Sequence, residues 1–213
     1  MPAPAIKLCG INTPEALDAA LAACADYVGF NFYPPSPRFL ALDQAAALGV
    51  RAEGRITRVG VFVDADEAAM AEAAAAARLD AVQLHGGENP ERAAQLGSRL
   101  GLPVWKVISV AGPDDIARAE RYREAVQLVL FDAKTPKGTL PGGMGLVFDW
   151  KLLSNLRLGL PWGLAGGLSA DNVAEAARIS GAPLVDTASG IESAPGVKDP
   201  DKIAAFCKAA RSA

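Results

Sequence analysis

The feature that most constrains this chain is a repeated alternation of short apolar runs with longer alanine- and leucine-rich segments that carry one polar face. The runs are Ile6 to Cys9, Tyr27 to Phe32, Arg58 to Val63, Ala81 to Leu84, Val104 to Ile108, Leu128 to Phe131, Trp162 to Ala165 and Leu184 to Thr187. They are short and mostly continuous in hydrophobicity, as expected of parallel strands covered on both sides. Helix-start signals lie between them. Thr13-Pro14-Glu15 opens one segment, Asp64 to Asp66 precedes a second and Ser169-Ala170-Asp171 a third, while Pro90, Pro113 and Pro200 stand where first-turn prolines are tolerated. The alanine-rich stretch Glu67 to Arg78 reads as an ordinary helix, because alanine is the best helix former and packs closely on a sheet. Strand-helix repeats of this number predict an α/β protein, a (β/α)8 TIM barrel forming a single domain over residues 1–213. An open doubly wound sheet is the structural rival. It is disfavoured because no GxGxxG follows the first run, whereas glycine pairs follow the seventh and eighth.

Composition narrows the function classes. Apolar residues make up 51% and charged residues 21%, without an acidic or basic block, which fits a globular enzyme or binding domain. A formal charge of −3 argues against a nucleic-acid partner. The 3 cysteines, Cys9, Cys24 and Cys207, are far apart and odd in number, so neither a disulfide framework nor a zinc site is expected. No signal-peptide pattern precedes the first run, and no apolar run is long enough to span a bilayer. The expectation is a cytoplasmic protein with no membrane partner.

In a barrel the chemistry gathers at the carboxyl ends of the strands. Cys9 ends the first run, before a glycine that lets the chain turn close to a ligand; taken alone, such a thiol reads as a small buried hydrophobe. Cys24 and Cys207 are expected on helices, with packing roles only. Asp132 follows the sixth run, and with Cys9 across the mouth it makes an acid/base pair of the kind aldose-to-ketose isomerisation needs. Arg38 ends the stiff loop Asn31 to Arg38 and can offer a bidentate fork to a carboxylate. Ala165 to Leu168 and Ala188 to Ile191 read as phosphate cradles, since their glycines bare backbone N–H groups after strands seven and eight. His85 is the only histidine, so a multi-histidine metal site is excluded and a structural hydrogen bond is as good a reading as a catalytic one. A hydrolase triad built on Ser189 would have to recruit His85 from across the barrel.

Taken in order, these motifs resemble the phosphoribosylanthranilate isomerase family along essentially the whole chain. They are Lys7 to Ile11, Gly29 to Phe39 with its SPR core, Val82 to Gly86, Asp132 to Pro136, Gly142 to Trp150, Leu164 to Leu168, and Ser189 to Glu192 followed by Pro195 to Asp199. The resemblance implies a ribulose-phosphate-binding barrel that performs an Amadori rearrangement in tryptophan biosynthesis, with no cofactor and no metal. It implies Cys9 as general base, Asp132 as general acid and Arg38 as the holder of the anthranilate carboxylate. Gly166, Gly167, Ser189 and Gly190 fall in the loops that take the ribose phosphate, and Lys7 and His85 fall in supporting positions near the substrate. The implied partner is a small phosphorylated molecule, and the chain is expected as a monomer or homodimer. Asn12, Met144 and Thr187-Ala188 depart from the family pattern, the last pair at a position where a hydroxyl often meets phosphate. The glycines of Lys137 to Gly145 suit a loop that moves over a ligand. The alternatives are another phosphate-binding barrel enzyme, such as an indoleglycerol-phosphate synthase, and a non-catalytic barrel that senses a phosphorylated metabolite.

Overall fold

The computed structural model describes residues 3–135, 142, 143 and 145–213. Most of the expected mobile loop 137–145, Met144 and the end of the Asp132 to Pro136 motif lie outside the described residues. Strands β1 (Ala5–Cys9), β2 (Tyr27–Asn31), β3 (Thr57–Phe62), β4 (Ala81–Leu84), β5 (Val104–Val110), β6 (Leu128–Ala133), β7 (Trp162–Leu164) and β8 (Leu184–Thr187) pair in sequence order and close on themselves. Every neighbouring pair is parallel, and the seam is β1 against β8, with Lys7 opposite Asp186. Closure leaves the barrel no open edge.

Helices α1 (Pro14–Ala22), α2 (Leu42–Ala52), α3 (Glu67–Ala76), α4 (Pro90–Leu100), α5 (Pro113–Ala117), α6 (Val173–Ser180) and α7 (Pro200–Ala210) form the jacket. The start signals act as expected. Thr13 and Asp66 cap α1 and α3, accepting hydrogen bonds from Ala16 and Ala69 N–H groups, and Pro90, Pro113 and Pro200 sit in first turns. The Ser169 signal is displaced by one turn: α6 begins at Val173 after Asn172, whose side chain instead ties the preceding loop through Ser169 N and Gly167 O.

Three expectations need correction. A helix does not follow every strand: after β6 the described residues contain a one-turn 3-10 helix, Trp150–Leu153, and Gly142, Gly143 and Gly145 all have positive φ, which an α-helix cannot contain. Asp132 does not follow its strand but lies inside it, because β6 runs on to Ala133. Cys24 is not helical or buried; it sits exposed just beyond α1 with φ 52°.

Alternation along the strands separates two apolar regions. Ile6, Leu8, Val28, Phe30, Val82, Leu84, Val129, Phe131 and Val185 face the helices and form the main core. Val59, Ala81, Trp105, Val107, Leu128, Leu130 and Leu184 point into the barrel, where Trp105 meets Tyr27 edge to face at 5.1 Å. This inner plug fills the amino-terminal half of the cylinder, so the interior positions one step further along each strand form the floor of whatever binds at the mouth.

Candidate active site

On most strands those next interior positions are polar, Val61 on β3 being an exception. Cys9 on β1, Asn31 on β2, Gln83 on β4, Asp132 on β6 and Asp186 on β8 line one cavity, together with His85, Arg38, Gly166, Gly167 and Ser189 from the loops above. A row of polar groups in so apolar a cylinder is stable only if each finds a partner or serves a ligand.

Lys7 and Cys9 are two residues apart on β1 and therefore share the inner face. Lys7 is fully buried beneath the cavity rather than on its wall, and its Nζ donates to Asp186 Oδ1 at 2.9 Å across the seam. Burial opposes the Lys7 charge, but Asp186 and Cys9 together outweigh it and raise the ammonium above its usual value, so it stays protonated. Burial pushes the Cys9 thiol up, and Lys7 is the chief group pulling it back down. Gly29 on β2 leaves room for this arrangement: a Cβ there would lie 2.9 Å from Cys9 Sγ and 3.3 Å from Lys7 Nζ.

On the opposite wall His85 Nε2 stands 3.3 Å from Asp132 Oδ2. The loop after β7 approaches the same carboxylate, since Gly166 has φ 89° and a Cβ on it would lie 2.6 Å from the Ala133 nitrogen and 2.8 Å from Asp132 Oδ1. Only glycine fits there. Gly167, with φ 61°, continues the turn. Ser189 opens a short 3-10 turn after β8, and Gly190 packs against the Leu168 carbonyl rather than lining the cavity, which draws the two glycine loops together. Thr187 spends its hydroxyl on the Leu168 carbonyl at 2.7 Å. Its departure from the family pattern thus serves loop-to-loop packing.

Of the residues singled out from sequence, Cys9, Arg38, His85, Asp132, Gly166, Gly167 and Ser189 line the cavity, while Lys7 lies beneath it and Gly190 behind it. Arg38 is not the open fork that was expected: its Nε and Nη2 donate to Glu192 Oε1 and Oε2, both at 2.8 Å. Sequence reasoning missed Asn31, Gln83, Asp186, Glu192 and Lys198. For the first three a signal existed, a polar residue two positions beyond an inward-facing one near the end of a largely apolar strand. Gln83 is 2% exposed, and its Oε1 has no hydrogen-bond partner among the described residues. Among the described residues no cluster of ligating side chains suits a metal ion, and no helix is long and apolar enough to cross a membrane.

Comparison with known proteins agrees with this fold. The family model for N-(5′-phosphoribosyl)anthranilate isomerase matches residues 6–209. The N-(5′-phosphoribosyl)anthranilate isomerase of Paramagnetospirillum magneticum is 53% identical over 207 residues, covering 97% of this chain and 96% of that protein. The crystal structure of phosphoribosyl anthranilate isomerase from Thermotoga maritima superposes with a TM-score of 0.89 at 36% identity, covering 99% of this chain and 100% of the other. A phosphoribosyl anthranilate isomerase in complex with reduced 1-(o-carboxyphenylamino)-1-deoxyribulose 5-phosphate gives a TM-score of 0.86 at 34% identity, covering 99% and 100%. With a barrel, a mouth and a full-length match in agreement, this chain belongs to the N-(5′-phosphoribosyl)anthranilate isomerase family.

Proposed function

We propose that the chain catalyses the Amadori rearrangement of N-(5-phosphoribosyl)anthranilate to 1-(2-carboxyphenylamino)-1-deoxyribulose 5-phosphate in tryptophan biosynthesis, with Cys9 as base and Asp132 as acid. The observation that carries this reading is that one cavity is walled by the thiol from β1 and the carboxyl from β6, with glycine loops above β7 and β8. A furanose seated between them has a proton donor on one side and an acceptor on the other. Asp132 gives its proton to the ring oxygen, the C1–O bond breaks, and the electron pair on the anthranilate nitrogen forms the iminium. Cys9, as thiolate, then takes the C2 proton, and the C2–H pair neutralises the iminium to give an enolamine. Tautomerisation places the carbonyl at C2 and a proton on C1.

The other side chains have assignable tasks. Lys7 counters part of the burial that disfavours a Cys9 thiolate, although the thiol stays raised overall. His85 braces the Asp132 carboxyl from 3.3 Å. Backbone N–H groups around Gly166, Gly167 and Ser189 take the phosphate, as loops after strands seven and eight do in many barrels, and Gly190 packs behind them to shape the second loop. Arg38 takes the anthranilate carboxylate.

The test is a fluorescence assay of substrate consumption. Acid and base each contribute roughly 10² to 10⁴ in rate, so Cys9→Ala and Asp132→Asn are each expected to lose most of kcat. Turnover near that of the parent enzyme in either variant removes that residue from the mechanism. Rescue of a tryptophan-requiring strain lacking this isomerase tests the activity itself, and failure with folded protein counts against it.

A further inference from the structure

The last family motif, Glu192 with Pro195 to Asp199, has no part in proton transfer, yet it is tightly engaged. It folds into an antiparallel hairpin of β9 (Glu192–Ala194) and β10 (Val197–Lys198) just after the β8 loop. Glu192 accepts from Arg38 Nε and Nη2, both at 2.8 Å, and from Lys198 Nζ at 2.8 Å. Lys198 also donates to the Ala188 carbonyl at 2.9 Å, and Lys202 donates to the Glu192 carbonyl at 2.7 Å. Asn12, one of the positions that depart from the family pattern, donates to the Gly196 carbonyl at 3.1 Å, while Gly196 packs on the Pro37 carbonyl. The side chains of Arg38, Glu192 and Lys198 are 9%, 4% and 1% exposed.

A guanidinium has two edges that can each grip a carboxylate. Glu192 holds the Nε/Nη2 edge, and at the cavity rim Nη2 also donates to the Gly143 carbonyl at 3.3 Å, so a ligand carboxylate that grips the Nη1/Nη2 edge takes the place of that carbonyl. Because Lys198, Lys202 and Asn12 pin the hairpin from other directions, Glu192 need not leave for a ligand to arrive. It is not among the walls of the main cavity that Arg38 lines.

We propose that Glu192, braced by Lys198, is the positioning residue that aims Arg38, holding one edge of the guanidinium so that the other faces the mouth and grips the substrate's aromatic carboxylate. This rests on the reading that Arg38 takes that carboxylate. Without Glu192 the long arginine side chain would sample rotamers and pay an ordering cost on each binding event. Burial alone would raise the Glu192 carboxyl, but Arg38 and Lys198 outweigh it and hold it below the usual carboxylate range, so the positioning charge persists at neutral pH.

The experiment compares two probes, the reduced product analogue and the same molecule lacking the ring carboxylate, by calorimetry on parent, Glu192→Gln and Arg38→Ala enzymes. Glu192→Gln is expected to weaken the carboxylated probe roughly ten- to a hundredfold, the effect of one charge-assisted hydrogen bond, and to leave the other probe little changed. In steady-state kinetics KM should rise by a similar factor while kcat falls far less. Equal weakening of both probes, or no weakening, overturns the proposal, because a merely structural role does not discriminate a ring carboxylate. If Arg38→Ala leaves the carboxylated probe unaffected, the reading of Arg38 fails and this proposal fails with it. If Arg38→Ala abolishes the discrimination and Glu192→Gln keeps it, only the role of Glu192 fails. Should Glu192→Gln not fold, Glu192→Asp retains the charge but is one methylene short of reaching both nitrogens, and an intermediate, carboxylate-specific loss is expected; an equal loss with both probes overturns the proposal here too.

Discussion

Two buried cysteines in this chain meet different fates. Cys207 lies in α7 against the apolar core, and burial pushes its thiol up to about 11, where it behaves as a small hydrophobe. Cys9 is buried too, but Lys7 stands on the same strand face, and the missing side chain of Gly29 lets the two groups approach. The Lys7 ammonium lowers a thiol that burial raises, so removing that charge must move the thiol further up. We expect Lys7→Met to shift the rising limb of the kcat/KM pH profile to higher pH. The same change strands Asp186 in the barrel and is expected to cost about 3 kcal/mol of stability, as breaking a buried pair from one side does. A limb that stays in place would assign the activation of Cys9 to another group.

Strands and helices divide the labour. The period of two along β1, β2, β4, β6 and β8 alternates apolar residues toward the helices with polar residues toward the mouth, so a few consecutive residues carry both packing and chemistry. The α-helices supply no cavity-lining residue, but the starts of α6 and α7 support the loops around it through Asn172 and Lys202, whereas the start of α4 does not. Asn89 caps α4 by accepting from the Arg92 N–H at 2.8 Å, on the jacket and away from the cavity walls. Asn89→Ala is therefore expected to cost about 1 kcal/mol, read as a lower denaturant midpoint with unchanged slope, while kcat and KM stay put. A changed kcat would couple the α4 cap to the mouth.

At the scale of the molecule, the two ends of the barrel do different work. At the amino-terminal end Arg58 on β3 binds Asp80, just before β4, through Nε and Nη2 at 2.8 Å each, and reaches the Gly49 carbonyl of α2 at 3.1 Å. Burial alone would raise the Asp80 carboxyl, but the side chain and N–H of Arg58 outweigh it and hold it below its usual value. A carboxyl lowered on folding stabilises the native state above its unfolded pKa, near 4, and loses that contribution as pH falls through the folded value. With the Asp80 side chain 39% exposed, solvent screening limits the effect. Asp80→Asn should thus cost about 1 kcal/mol at pH 7, with the gap to the parent closing below about pH 4 and kcat unaffected. A gap that widens in acid would reverse the sign assigned to this pair.

By itself the sequence determined the order of the eight strands and set Cys9, His85, Asp132 and the glycine turns at or near their carboxyl ends, because strand hydrophobicity, proline and glycine act over a few residues. Gln83 and Asp186 were legible in principle, but a continuous apolar reading of β4 and β8 hid the alternation that marks them as inward-facing. Only the tertiary structure decided that Lys7 answers Asp186 across the barrel seam, 179 residues away, and that Arg38 is held by Glu192, 154 residues on. Such pairings are set by barrel closure and by a hairpin folding back on an early loop, and no local pattern encodes the distance between charges that meet only when the cylinder shuts.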